Sequence, residues 1–145
     1  MYNDVLTFTQ NLSEQICKMF DVPIPKVYIV ITCDEKFSGE MSATQRTSTM
    51  YVKIFVPHSV NLKKHKMILT TIIIHEHCHY VDNYNMSIKE RAESSNAYIK
   101  DPNARKIDEM RTWRSTKRVA KELGIWTKEL FDEIKQFHFS SRLTF

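Results

Sequence analysis

Ile72-Ile73-Ile74-His75-Glu76-His77-Cys78-His79-Tyr80-Val81-Asp82 is the stretch that decides how this chain is read. His75 and His79 are four residues apart, so on a helix they sit about 40° apart around the axis and one turn apart along it. Two imidazoles on one face can then bind one metal ion, each through a ring nitrogen. Glu76 stands beside the first of them, where its carboxylate can reach a water held by the metal and take its proton. A helix with surface histidines would show the same spacing. The three isoleucines directly upstream argue against a wholly exposed helix.

The neighbouring residues read differently. His77 lies about 200° from His75, on the opposite side of the helix, and is expected to be a core or surface histidine or a partner for another helix. Cys78 also points away and reads as a small buried residue. Asp82 shares the face of His75 and His79. Three consecutive turns of one straight helix rarely wrap a tetrahedral ion, so Asp82 is expected to accept a hydrogen bond that orients a histidine.

A zinc site needs a third protein ligand and, for catalysis, an open position. Asp82, Glu90, Glu93, Asp108 and Glu109 are the candidates. On a helix over residues 104–123, Glu109 aligns with Trp113, Thr116, Ala120 and Leu123 within about 40°. That is the inward stripe, where a carboxylate is costly unless paired or bound to a cation. Glu93 falls among Glu90, Asn96, Ala97 and Lys100, while Ile88, Ala92, Ser95 and Ile99 form the stripe expected to be buried there. Glu109 is therefore favoured over Glu93 and Asp82. A buried salt bridge from Glu109 to Arg105 is the competing explanation.

Working outward, residues 4–20 place Val5, Phe8, Leu12, Ile16, Met19 and Phe20 at helical spacing, and Pro23 and Pro25 end the helix. Residues 26–33 read as a strand buried on both faces. Residues 34–39 read as a turn or loop and 41–46 as a short strand. Residues 49–56 alternate as a further strand that Pro57 stops. Helices are predicted at 62–84, 88–100, 104–123 and 127–138, with Pro102, Gly124 and the N-cap candidate Thr127 as boundaries. The order gives an α+β fold: an N-terminal helix, a small antiparallel sheet, then several helices.

The chain has 145 residues, 42% hydrophobic and 26% charged, with two glycines and four prolines. One domain over residues 1–145 is expected, built from long helices. A net charge of +4, with basic residues thickening from Arg105 to Lys121, reads as a solvated helix face. No element has the pattern of a nucleic-acid reading module, so nucleic acid is not an expected partner. Three scattered cysteines without a C-x-x-C pair fit a reducing compartment. The start lacks the pattern of a secretory signal, and the apolar run 67–74 is too short to span a membrane. A soluble, cytoplasmic protein is expected.

With these residues in place, a resemblance emerges. His75-Glu76-x-x-His79 followed by a helix carrying Glu109-x-x-x-Trp113 resembles the small gluzincin zinc peptidases (the minigluzincins) and, more distantly, the ImmA/IrrE-type metallopeptidase domains. The similarity covers roughly residues 26–123, and H-E-x-x-H is its specific part. Arg111 and Thr112 replace the second acid and the alanine of the commoner E-x-E-A-W form. No third histidine follows at the metzincin spacing. The resemblance implies a zincin-like fold and one Zn²⁺ per chain on His75, His79 and Glu109. It further implies Glu76 as general base and a peptide or protein substrate. Tyr80, Tyr84 and Arg114 are candidate oxyanion donors, and the strand at 49–56, as a sheet edge, could pair with an extended substrate.

Narrow specificity is expected of so short a chain. The apolar tail 137–145 is expected to pack on the core, in preference to lying in the groove and making the enzyme latent. Three rival readings stay open. The first is a zinc-binding regulatory or interaction domain without catalysis. The second is a peptidase that cuts one protein partner, and the third is a nucleic-acid-associated protein using the Arg105–Lys121 face. The oligomeric state is not legible.

Overall fold

The computed structural model describes residues 2–43 and 49–143, with side chains through residue 42 and over 49–136. The tail 137–145, as far as its side chains are concerned, lies outside the described residues, and so do residues 44–46 of the predicted second strand.

Helix α1 (Tyr2–Phe20) buries Val5, Thr9, Leu12, Ser13, Ile16 and Cys17, one stripe at helical spacing. It ends where Asp21 takes a left-handed conformation (φ 54°) and Val22 N–H donates to the Cys17 carbonyl at 3.0 Å. Three strands follow: β1 (Lys26–Thr32), β2 (Ser38–Ala43) and β3 (Met50–Pro57), in the spatial order β1-β3-β2.

The sheet is mixed, which corrects the antiparallel expectation: β1 runs parallel to β3, and β2 antiparallel to it. Burial explains the order. Met50, Val52, Ile54 and Val56 of β3 are buried, so the most apolar strand takes the centre. The polar β2 (Ser-Gly-Glu-Met-Ser-Ala) takes an edge. β1 takes the other edge, and the expectation that both its faces are buried does not hold. Only Ile29 is buried, while Tyr28 and Ile31 are exposed. The strand expected to be a sheet edge, β3, is thus the central one. The second strand starts at Ser38, inside the predicted loop.

Helix α2 (Leu62–Tyr84) is the hub. It packs against α1, β2, β3 and two later helices, and is buried almost continuously from Leu69 to Val81. Asn61 caps it by accepting from Lys64 N–H at 3.1 Å. Being covered all round, α2 can direct its histidines to different neighbours.

His77 faces α1 and is fully buried. Its Nδ1 donates to the Ile73 carbonyl at 2.7 Å, so its Nε2 accepts from the Ser13 hydroxyl at 2.7 Å. It is the partner for another helix, and burial holds its pKa down at about 4. Ser13→Ala would strand that nitrogen; a loss of about 1–3 kcal/mol in urea unfolding is expected. Because the folded value lies below the unfolded one, His77 also destabilises the fold as pH drops from 6.5 toward 4.

Helices α3 (Ile88–Lys100), α4 (Pro102–Glu122) and α5 (Lys128–Leu143) complete the chain. Ser87 and Glu90 form a capping box at the start of α3. The stripe expected to be buried on α3 is not: no α3 residue is buried, and Ile88 and Ile99 are 58% and 69% exposed. α3 packs on α4 through its Arg91–Tyr98 side instead, where Arg91 Nε also donates to the Asn83 carbonyl at 3.1 Å. Asp101 caps α4 with Pro102 in its first turn, Gly124 (φ 71°) follows it, and Thr127 caps α5.

The buried stripe of α4 is Glu109, Thr112, Trp113, Thr116, Val119 and Ala120. Its opposite face exposes Arg111, Arg114, Lys117, Arg118 and Lys121 to solvent. Among the described residues, no helix is long and apolar enough to cross a membrane.

Candidate metal centre

The faces of α2 and α4 that meet carry His75, His79 and Glu109. His75 Nε2 lies 3.0 Å from Glu109 Oε2, and His79 Nε2 lies 3.2 Å from Glu109 Oε1. One ligand atom from each of the three falls within 4.8 Å of the other two. The imidazoles meet edge to face at 4.8 Å, and Trp113 stacks on His75 with centroids 3.9 Å apart. Glu109 thus spends its oxygens on the histidines and on Tyr98, whose hydroxyl donates to Oε1 at 2.7 Å.

The outer ring nitrogens reveal the proton pattern. Thr116 Oγ1 donates to the Thr112 carbonyl at 2.8 Å and lies 3.4 Å from His75 Nδ1. Thr112 Oγ1 donates to the Asp108 carbonyl at 2.9 Å and lies 3.4 Å from His79 Nδ1. Each hydroxyl has one proton, already given to its own helix, so it faces the ring with a lone pair and Nδ1 carries the hydrogen. Both Nε2 lone pairs then aim at a carboxylate. That juxtaposition is repulsive unless a positive charge, a proton or a metal ion, stands between them.

The charge states follow. Burial pushes His75 down to about 4, with Glu109 opposing. Burial alone would also lower His79, but its hydrogen bond to Glu109 and the charges of Glu76, Glu109 and Asp108 outweigh that and hold it up at about 9. Burial would raise Glu109; its bonds to His75 and His79 instead keep its carboxyl far below the usual carboxylate range. Of the two imidazoles, His79 is thus the one held toward its protonated form, facing a Glu109 held toward its charged form. Two imidazole nitrogens and one carboxylate, buried and convergent, fit a divalent ion of the zinc type.

Glu76 is buried, and among the described residues its carboxylate makes no hydrogen bond. Burial pushes its pKa up to about 7, with His79 opposing and Glu109 and Glu40 adding.

Of the sequence-predicted residues the structure brings His75, His79 and Glu109 together, keeps Glu76 beside His75 on α2, and sets Asp108 next to His79 as an outer partner. Glu93, Glu90 and Asp82 do not join the group. Glu93 is exposed on α3, and Glu90 is spent on the capping box. The acid beside His79 Nδ1 is Asp108, at 3.7 Å, rather than Asp82. Asp108 also pairs with Arg111 at 2.7 Å. Tyr80 donates to the Pro23 carbonyl at 2.5 Å, on the far side of α2. Tyr84 and Arg114 are solvent-exposed.

Sequence reasoning missed Tyr98 and the role of the threonines. The available signals were an aromatic off the isoleucine stripe of α3 and two threonines four apart on the stripe of Glu109. Thr112→Val is expected to weaken zinc binding roughly tenfold, the low end for an outer partner because its contact is long. Competition with a chromophoric chelator measures this, and Thr112→Ser should retain wild-type affinity.

Compared with protein-family models, curated proteins and solved structures, the chain matches none, and the assignment of a candidate His75/His79/Glu109 metal site rests on this geometry.

Proposed function

We propose that the chain is a zinc metallopeptidase of the gluzincin kind, acting on peptide or protein substrates with narrow specificity. The observation that carries the reading is Glu76: a buried carboxylate next to a convergent His-His-Glu set, without a hydrogen bond among the described residues, and with a pKa of about 7. His75, His79 and Glu109 would hold the ion. When bound, the ion supplies Lewis acidity that activates water and polarises a carbonyl.

The chain's own residues do the rest. Glu76 takes the proton of the attacking water and returns it to the leaving amine, a task suited to a base poised near neutral pH. Thr112 and Thr116 keep the two rings turned with Nε2 inward. Tyr98 steadies Glu109 from α3.

Of the two edge strands, β2 is the one that lies against Glu76, at Gly39, so β2 rather than the central β3 would pair with an extended peptide. A zinc-holding interaction module without catalysis is the second reading, favoured by the solvent-facing isoleucines Ile88, Ile99 and Ile107.

The test is cleavage of a diverse peptide mixture, followed by mass spectrometry, with zinc-loaded, chelated and zinc-restored protein. Cleavage that disappears with chelation and returns with zinc supports the peptidase. Zinc bound at one per chain with no peptide cut would sink it in favour of the module.

A further inference from the structure

The site contains a glycine that the chemistry above does not use. Gly39 is on β2, paired in register with Ile54 of the central strand, and Ile54 is fully buried. A methyl group at Gly39 would lie 2.5 Å from Glu76 Cγ, 3.0 Å from Glu76 Cδ and 2.8 Å from Ile72 Cγ2. The backbone of the edge strand therefore forms one wall of the slot that holds the Glu76 side chain, and Ile72 forms another.

We infer that Gly39 is the positioning residue for Glu76. The inference rests on the peptidase reading for its catalytic consequence, while its structural content stands separately. A buried carboxylate is usually aimed by hydrogen bonds. Glu76 has none among the described residues, and a Cβ at residue 39 would press directly on its side chain, so packing against this backbone is what aims it there.

Adding a methyl there requires a movement of about an ångström to restore ordinary contact. β2 is anchored to β3 through its ladder, and Ile72 is a buried neighbour on the same helix. Glu76, a flexible side chain with no hydrogen bond to the described residues, is the group that yields. Its carboxylate then leaves the place from which it reaches the attacking water. The zinc ligands on α2 and α4 are untouched.

Gly39→Ala in the full chain is expected to bind zinc at one per chain with affinity within about threefold of wild type. Its kcat should fall on the order of a hundredfold, the usual cost of a 1 Å misplacement, with KM within about twofold. Ser38→Ala, one residue away on the other face of β2, is the control and should behave as wild type.

A readout independent of activity comes from a double-mutant cycle on thermal unfolding. Gly39→Ala should lower the Tm by roughly 3–10 °C in the wild-type background, as overpacking does. In a Glu76→Ala background, where the Glu76 Cγ and Cδ overlaps are gone and only Ile72 Cγ2 stays close, the loss should be clearly smaller. Equal losses in the two backgrounds overturn the Gly39–Glu76 contact. Coupled losses with an unchanged kcat overturn its positioning role. Zinc-loaded wild type that cleaves no peptide overturns the peptidase reading instead, and the double-mutant cycle then decides the contact by itself.

Discussion

Zinc-loaded Glu76→Gln is expected to hold its metal like the wild type while hydrolysing peptides roughly 10²–10⁴-fold more slowly. The amide has nearly the volume of the carboxylate, so the slot between Gly39 and Ile72 stays filled. It cannot accept a proton at neutral pH, and that single loss isolates the base. Glu76 lies outside the convergent ligand group, so zinc content should not change.

The pH dependence sharpens the test. Burial raises Glu76 to about 7 without metal, and the working form is the deprotonated one. Activity should therefore rise with pH along a limb that ends at or below about 7, because a bound cation favours the carboxylate. Equal rates for wild type and variant would remove Glu76 from the chemistry.

Glu109→Ala should cost zinc affinity more than the roughly tenfold to hundredfold typical of an outer partner, because it deletes one of three ligands. Exposed Glu93→Ala should leave affinity unchanged. The proton balance gives a second reading of the same variant. His79 stands at about 9 in the metal-free protein, so zinc binding near pH 7 should release about one proton. Zinc affinity should accordingly rise about tenfold per pH unit until pH approaches 9. In Glu109→Ala the hydrogen bond and charge of Glu109 are gone while Glu76 and Asp108 stay, so the released proton should shrink to a fraction. Calorimetry in buffers of different ionisation enthalpy counts that proton.

The same shift governs the stability of the metal-free fold. Protonated His79 stabilises that fold fully below pH 6.5, and the contribution is lost as pH rises through about 9. A zinc affinity indifferent to Glu109, or binding without proton release, would disqualify the cluster.

Much of this site was legible from the sequence alone, because helical periodicity is local. The four-residue spacing of His75 and His79 and the alignment of Glu109 with Trp113 and Thr116 need only about 100° per residue. The helix limits near Pro102, Gly124 and Thr127 followed from equally local signals, whereas the caps Asn61 and Ser87 were not read.

The sheet order was not legible, since pairing depends on which strand the whole core most needs to cover. Val27–Ile31 of β1 looked fit for a centre that the alternating Val52, Ile54 and Val56 occupy. α3 misled for a related reason. Ile88, Ala92, Ser95 and Ile99 do share a stripe, but α4 is reached through the adjoining flank that carries Tyr98. Asp82 shares a helix face with the histidines and was expected to orient one of them, while Asp108 was only a possible third ligand. Only the approach of α4 decided that Asp108 stands nearer His79.

The absence of buried residues on α3 carries one further consequence. Amide hydrogens exchange fastest where opening exposes little apolar surface, so α3 should exchange well before α2, whose centre is enclosed on all sides. The two halves of the site then belong to different cooperative units. The histidines sit in the slowest-opening helix, while Tyr98 departs and returns with one of the fastest, releasing and recapturing Glu109 Oε1 each time.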